Sequence, residues 1–276
     1  MPVANWLRKK PLKFALILLA LVLSGIALHY IFFRDGESWE EIMKRGFITV
    51  CLDPSFPPFE YVDEGSGELR GFDVDMARAI GDHLGLRVEF AIVGFDGLYD
   101  AVKARQCDVA ISALPYDPLL TQDVAFSISY FEAGLMLVVR ENEASIRSPD
   151  DLKGRRVAVE LGSTGDVEAR RLKVKLGELE VKPYPTVEEA LRALKEGQAD
   201  ACFADAISAY SFWGREGGIK VLFPALVSTP YAAVVNLKSK GLLGKINEAL
   251  IHLRETGLLH SLAEKYFGVR PSNLWP

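Results

Sequence analysis

Phe47-Ile48-Thr49-Val50-Cys51-Leu52-Asp53-Pro54-Ser55-Phe56-Pro57-Pro58 (residues 47–58) reads as an apolar, β-branched strand that stops in a polar, proline-rich loop. Downstream, Phe72, Met76, Ala79, Ile80 and Leu84 recur at helical spacing until Gly85 ends the run, and Val88–Val93 is again strand-like. Strand, helix, strand is the unit that builds parallel sheets. A short helix near Ser38–Arg45 leads into it. Phe95–Ala104 then reads as a helix, with Val109–Ala113, Gly134–Val139 and Arg155–Val159 as strands. Gly162-Ser163-Thr164-Gly165 opens a helix at Asp166–Leu176. Val181–Tyr184 and Ala201–Ala204 are strands around the helix Val187–Glu196. Ala232–Asn236 is a last strand before helices at Leu242–Glu255 and Leu258–Phe267.

The pattern occurs twice, up to about Ala133 and from Arg155 to Phe223, and the last strand has no sheet partner near it in sequence. This predicts an α/β chain of two lobes, each a mostly parallel sheet flanked by helices. The lobes would be 45–138 with 229–268, and 139–228, hinged by two crossing strands near Gly134–Val139 and Thr229–Asn236. Ligands of open α/β sheets sit beyond the carboxyl ends of the strands, so two facing sheets define a cleft.

The 276 residues are 49% hydrophobic and 25% charged, an ordinary globular composition. A formal net charge of −5, with no Lys/Arg-rich stripe beyond the N-terminus, argues against nucleic acid as a partner. The N-terminus is different. Residues 1–13 carry Arg8, Lys9, Lys10 and Lys13, and Phe14–Phe33 is uncharged. A run of roughly 20 apolar residues spans about 30 Å as a helix, the thickness of a bilayer core. The basic flank keeps the N-terminus inside and the body outside the cytoplasm. The segment 14–33 is therefore an N-terminal transmembrane anchor or, on the competing reading, a cleaved signal peptide. Cys51, Cys107 and Cys202 do not make a disulfide framework. Each lies in or beside a strand-like stretch and is read first as a buried apolar residue, a Cys51–Cys107 bridge being the alternative in an oxidising compartment. No metal ligand set stands at the required spacing, and no cofactor is implied.

Four strand ends carry polar or aromatic residues. Asp53, Phe56 and Phe59 follow the first strand. A carboxylate beside aromatic faces suits an ammonium group, and a proline turn with Asp53 as a local cap is the alternative. Ser112 closes Val109–Ala113 and leads into Leu114; it either bonds a ligand or ties down its own turn. Glu160 precedes Ser163 and Thr164, where backbone N–H groups at a helix start offer an anion site, or where either hydroxyl is a plain N-cap. Asp205 follows Ala201–Ala204 as a ligand or a helix cap.

The stretch Gly71-Phe72-Asp73-Val74-Asp75-Met76-Ala77 resembles the signature of the polar amino-acid family of periplasmic solute-binding proteins. The likeness continues, in order, through Asp53–Glu60, Cys107–Ser112, Val124–Phe131, Ser148–Gly154, Val157–Val159 with Gly162–Gly165, Ala199–Ala201 and Lys265–Gly268. It implies a two-lobe periplasmic-binding-protein fold, type II-like, that clamps an amino acid and delivers it to an ABC permease. Carried over, Asp53 and Phe56 would line one wall, Ser112 would bond the ligand, Thr164 would receive a carboxylate and Asp205 would hold an ammonium. The sequence departs from the family where an arginine usually grips that carboxylate: Asp117-Pro118-Leu119-Leu120 puts Leu120 there. The ammonium side (Asp53, Asp205, with Glu160 near) is intact, which favours a cationic ligand without an α-carboxylate, such as an amine, an ordinary amino acid held by the helix N-terminus being the alternative. The rival expectations are a ligand-sensing receptor domain and a dehydratase-like cleft enzyme using Glu160 or Asp205 as proton donor.

Overall fold

The computed structural model describes Trp39 to Gly268, so the expected anchor or signal segment 14–33 lies outside the described residues. Among the described residues no helix is long and apolar enough to cross a membrane. The first lobe is a sheet of β1 (Phe47–Leu52), β5 (Arg87–Ile92), β6 (Val109–Ala110), β7 (Val124–Glu132) and β13 (Pro230–Asn236), in the order β5-β1-β6-β13-β7. The second sheet contains β8 (Leu135–Arg140), β9 (Arg156–Glu160), β10 (Glu180–Tyr184), β11 (Ala201–Asp205) and β12 (Ile219–Val227), in the order β10-β9-β11-β8-β12. A small ribbon, β2 (Ser55–Phe56), β3 (Glu60–Val62) and β4 (Leu69–Arg70), extends the first lobe. The helices are α1 (Trp39–Arg45), α2 (Phe72–Leu84), α3 (Leu98–Lys103), α4 (Thr164–Leu176), α5 (Val187–Lys195), α6 (Ala206–Glu216), α7 (Lys240–Glu255) and α8 (Leu258–Phe267).

Both sheets are mixed, and each has one reversed strand. In the first, β5, β1, β6 and β7 run one way and β13 runs against them. In the second, β10, β9, β11 and β12 run together and β8 is reversed. The cause is topological. β8 enters directly from β7 and β13 directly from β12, so each starts where its new neighbours finish. The carboxyl ends of the other strands and both crossings thus share one side of the molecule. All of β8 pairs in the second sheet, so the boundary expected at 138/139 falls within this strand and the first crossing is the short turn at Ala133 and Gly134.

Glu132 locks the two crossings together. It is 2% exposed, and its carboxylate accepts from Gly134 N at 2.9 Å, Thr229 N at 2.7 Å and the Ser228 hydroxyl at 2.6 Å. A Cβ on Gly134 would lie 2.0 Å from the Val227 carbonyl oxygen, so only glycine fits. Beside this joint the lobes share an aromatic core. Phe59 contacts Phe72, Phe131, Tyr231 and Phe267 at centroid distances of 5.0–5.8 Å. Tyr210 on α6 reaches Phe131 and Phe267 from the second lobe. Such pairs add about 0.5–1.5 kcal/mol each beyond their buried area.

Helix α2 begins at Gly71, whose φ of 137° and contact with Phe59 (a Cβ would lie 2.0 Å from its carbonyl oxygen) exclude a side chain. It ends at the left-handed Gly85, as the sequence predicts. Cys51 and Cys107 form a disulfide with Cα atoms 5.8 Å apart. This corrects the reading of both as plain buried apolar residues: β1 and β6 are neighbours, which brings together cysteines 56 positions apart. Cys202 is free and buried.

Candidate functional site

On the first-lobe wall, Asp53 follows β1 and is half-buried. Its Oδ2 accepts from Phe95 N at 2.7 Å, and its own N–H donates to Ser112 Oγ at 3.0 Å. Ser112 is fully buried, and its hydroxyl donates to Glu60 Oε1 at 2.8 Å. Beneath it, Asp73 Oδ2 accepts from Ala113 N at 2.6 Å and from the Tyr130 hydroxyl at 2.7 Å. Ala113 needs this support, because its φ of 46° is unusual for a residue with a Cβ. Burial raises the Glu60 carboxyl above the ordinary carboxylate range, and the neighbouring Asp73 carboxyl adds to it. Burial raises Asp73 as well, against the pull of the Ala113 N–H and Tyr130 hydroxyl. Phe56 is 40% exposed and stacks on Phe59 at 5.6 Å. Phe59 and Leu114 are themselves fully buried, Leu114 in an apolar cluster with Cys51, Leu98 and Val102. Leu120 packs against that cluster too.

The second-lobe wall is built from helix starts. Ser163 caps α4, its Oγ accepting from Asp166 N at 3.2 Å and donating to the Glu160 carbonyl at 2.8 Å. Asp166 turns back to accept from Gly162 N at 3.1 Å and from Arg170 at 2.7 Å. The expected backbone anion site is therefore partly filled by the chain's own carboxylate, which that Gly162 N–H holds below its ordinary range, with Arg170 assisting. Thr164 is exposed and Glu160 half-buried. Asp205 caps α6, its Oδ1 accepting from Ser208 N at 2.8 Å.

Burial raises the Tyr231 phenol well above the usual range, and the carboxylates of Asp73, Asp205, Glu60 and Glu132 add to it. Asp53 in turn raises Glu60. Of the predicted residues, Asp53, Phe56, Glu160, Thr164 and Asp205 remain accessible, whereas Phe59, Ser112 and Leu114 lie inside the first lobe. Sequence reasoning missed Glu60, Asp73, Tyr130, Glu132 and Tyr231. One signal was available: Asp73 shares the apolar face of Met76, Ala77 and Ile80 at helical spacing. A cavity of about 550 Å³ opens elsewhere, between α4 and the sheet face carrying Leu137, Phe203 and Leu222, and no strand-end residue of the predicted site lines it.

Comparison with known proteins agrees with this architecture. Residues 48–269 match the sequence profile of the bacterial extracellular solute-binding proteins, family 3. A probable amino-acid ABC transporter-binding protein of Haemophilus influenzae is 27% identical, covering 90% of this chain and 95% of its own. An L-arginine-binding protein of Pseudomonas aeruginosa is 30% identical, covering 80% of this chain and 87% of its own. The L-cystine solute receptor of Neisseria gonorrhoeae, unliganded and open, superposes with a TM-score of 0.73 at 27% identity, over 85% of this chain and 98% of that one.

Proposed function

The chain belongs to family 3 of the bacterial extracellular solute-binding proteins, and from that premise we propose that its cleft captures a small cationic solute, an amino acid or an amine, for an ABC-type permease. The observation that carries the cationic reading is that each lobe ends a strand in an accessible carboxylate, Asp205 at the start of α6 in the second lobe and Asp53 after β1 in the first. Asp53 and exposed Phe56 stand at the same wall, and a carboxylate with an aromatic face is the pairing an ammonium or guanidinium group selects. Leu120 stands where relatives of the resembled family grip a carboxylate, and here it packs against the Cys51 and Leu98 cluster. Asp166 occupies part of the α4 start that would otherwise receive an anion. Both features weaken the hold on an α-carboxylate without touching the cationic side.

The lobes close as a hinged clamp about Glu132, with 45–132 and 229–268 moving against 135–227, and residues 14–33 hold the protein at the outer face of the membrane or direct its export. The chain binds its solute and does not turn it over. Titration calorimetry of L-arginine, putrescine and L-glutamate tests the reading. Arginine or putrescine should bind and glutamate should not; preferential binding of glutamate overturns it.

A further inference from the structure

Two carboxyl groups are buried behind the first-lobe wall without a cation. Glu60 is 1% and Asp73 0% exposed. One oxygen of each is satisfied: Glu60 Oε1 accepts from the Ser112 hydroxyl, and Asp73 Oδ2 accepts from Ala113 N and the Tyr130 hydroxyl. The other oxygens, Glu60 Oε2 and Asp73 Oδ1, are buried without a hydrogen-bond partner, and the two carboxyl groups are anchored side by side on the successive residues Ser112 and Ala113. Two carboxylates adjacent in a water-free site repel and are each poorly solvated. One proton between the two free oxygens removes a charge and gives both oxygens a partner.

We infer that Glu60 and Asp73 share a single proton, and that Glu60 is thereby a positioning residue for the solute-binding wall. Through Ser112 it fixes the Asp53 backbone, and through Asp73 the strained Ala113 peptide is held. Because the only proton of the Ser112 hydroxyl goes to Glu60, Ser112 presents lone pairs alone to the Asp53 loop. That a solute's cationic end meets the Asp53 carboxylate held in this way rests on the proposed function. The polar groups facing the pair are Asp53 after β1, Ser112 after β6, Tyr130 on β7 and Tyr231 on β13, and none of the groups shifting either carboxyl is a cation. Burial pushes both carboxyls upward, so the folded state keeps a proton that the unfolded chain has released. The stabilisation is therefore complete in acid and is lost as pH rises through neutrality into the alkaline range.

The test needs no solute, so it is independent of which ligand binds. In the full-length chain, Glu60→Gln or Asp73→Asn replaces the shared proton by a permanent amide donor while keeping the acceptor oxygen. Each single variant should melt within about 2 °C of wild type at neutral pH and flatten the alkaline decline. The double variant sets two amide donors face to face and should melt about 5 °C or more lower. Two separately ionised carboxylates would give the reverse, with stability rising at each neutralisation and most in the double variant, and that result overturns the proposal. Infrared difference spectra of wild type against Glu60→Gln should show the carbonyl band of a protonated carboxylic acid at neutral pH; its absence also overturns it. In the double variant, amide-exchange protection should fall at Asp53 and Ala113 and persist along β9. Equal loss in both lobes would mark general destabilisation and defeat the positioning role. A chain that binds neither arginine nor putrescine yet shows this pattern would remove the proposed function and leave the shared proton standing.

Discussion

The two walls of the cleft present similar groups and hold them by different means. In the first lobe, the strand ends carrying Asp53 and Ser112 are fixed from behind by buried Glu60, Asp73 and Tyr130 and by the Cys51–Cys107 disulfide. In the second, Ser163 and Asp205 are helix caps whose side chains bond to the first turn of their own helices or the loop before them. A long-range buried network defines its geometry only when the whole lobe is folded; a cap is as local as the helix it starts. In the proposed clamp the first lobe is therefore the pre-shaped half, and the second brings its groups on helix ends.

Removing the long-range supports should expose this asymmetry most. Replacing Cys51 and Cys107 together by alanine opens a loop of 56 residues, and loop entropy alone puts the loss at about 4 kcal/mol. Chemical denaturation should register it, with exchange protection falling in β1, β5 and β6 before β9 to β11. Equal loss in both sheets would break the comparison. Asp205→Asn comes next. Asparagine caps a helix as well as aspartate does, so melting should be unchanged, while affinity for a cationic solute falls roughly tenfold or more; unchanged affinity in calorimetry would remove Asp205 from the site. Ser163→Ala should cost about 1 kcal/mol of stability, read as a lower melting temperature, because only the cap is lost.

The smallest expected effect is a divergence with pH. In the second lobe, hydrogen bonds from Arg156 hold Asp200 below the ordinary carboxylate range, and the Gly162 N–H does the same for Asp166. Their contribution is present above that range and is lost as pH falls through the lowered values. Their arginine partners are substantially exposed, 37% for Arg156 and 58% for Arg170, so each effect should stay within about 1 kcal/mol. Acid below the ordinary carboxylate range should loosen the second lobe around Arg156 and Gly162, and mild alkali the first lobe around Ala113. Exchange measured at both extremes sharpens the contrast, and the same lobe loosening at both ends would refute it.

The same contrast explains what could be read in the sequence. β1, β9 and β11 are short apolar runs with polar residues just past their ends, so Asp53, Glu160 and Asp205 could be picked out from position alone. Helix α6 escaped notice because Tyr210, Phe212, Trp213 and Gly214 are weak helix formers. It is held instead by the Asp205 cap and by burial of Ala209, Tyr210 and Phe212. β7 and β12 also went unassigned, since their pairing comes from β13 and β8, strands that arrive from the opposite lobe. Likewise, Glu60 and Asp73 stood in quoted motifs, yet their tie to Ser112 and Ala113 exists only once β3, α2 and β6 have met.

The reversed strand β13 has a further consequence, for the order in which the protein can be made. It lies between β6 and β7 and pairs with both, yet it follows the whole second lobe in sequence. As the chain emerges from its N-terminus, the first sheet has an open seam until residues 230–236 appear. By then the second lobe has all five of its strands and can fold as a unit. The earlier-made lobe is thus the later one to be finished. A nascent chain stopped between Glu132 and Pro230 carries β6 and β7 with the edges that β13 will pair still open, a form that a protease or chaperone can distinguish from the completed molecule.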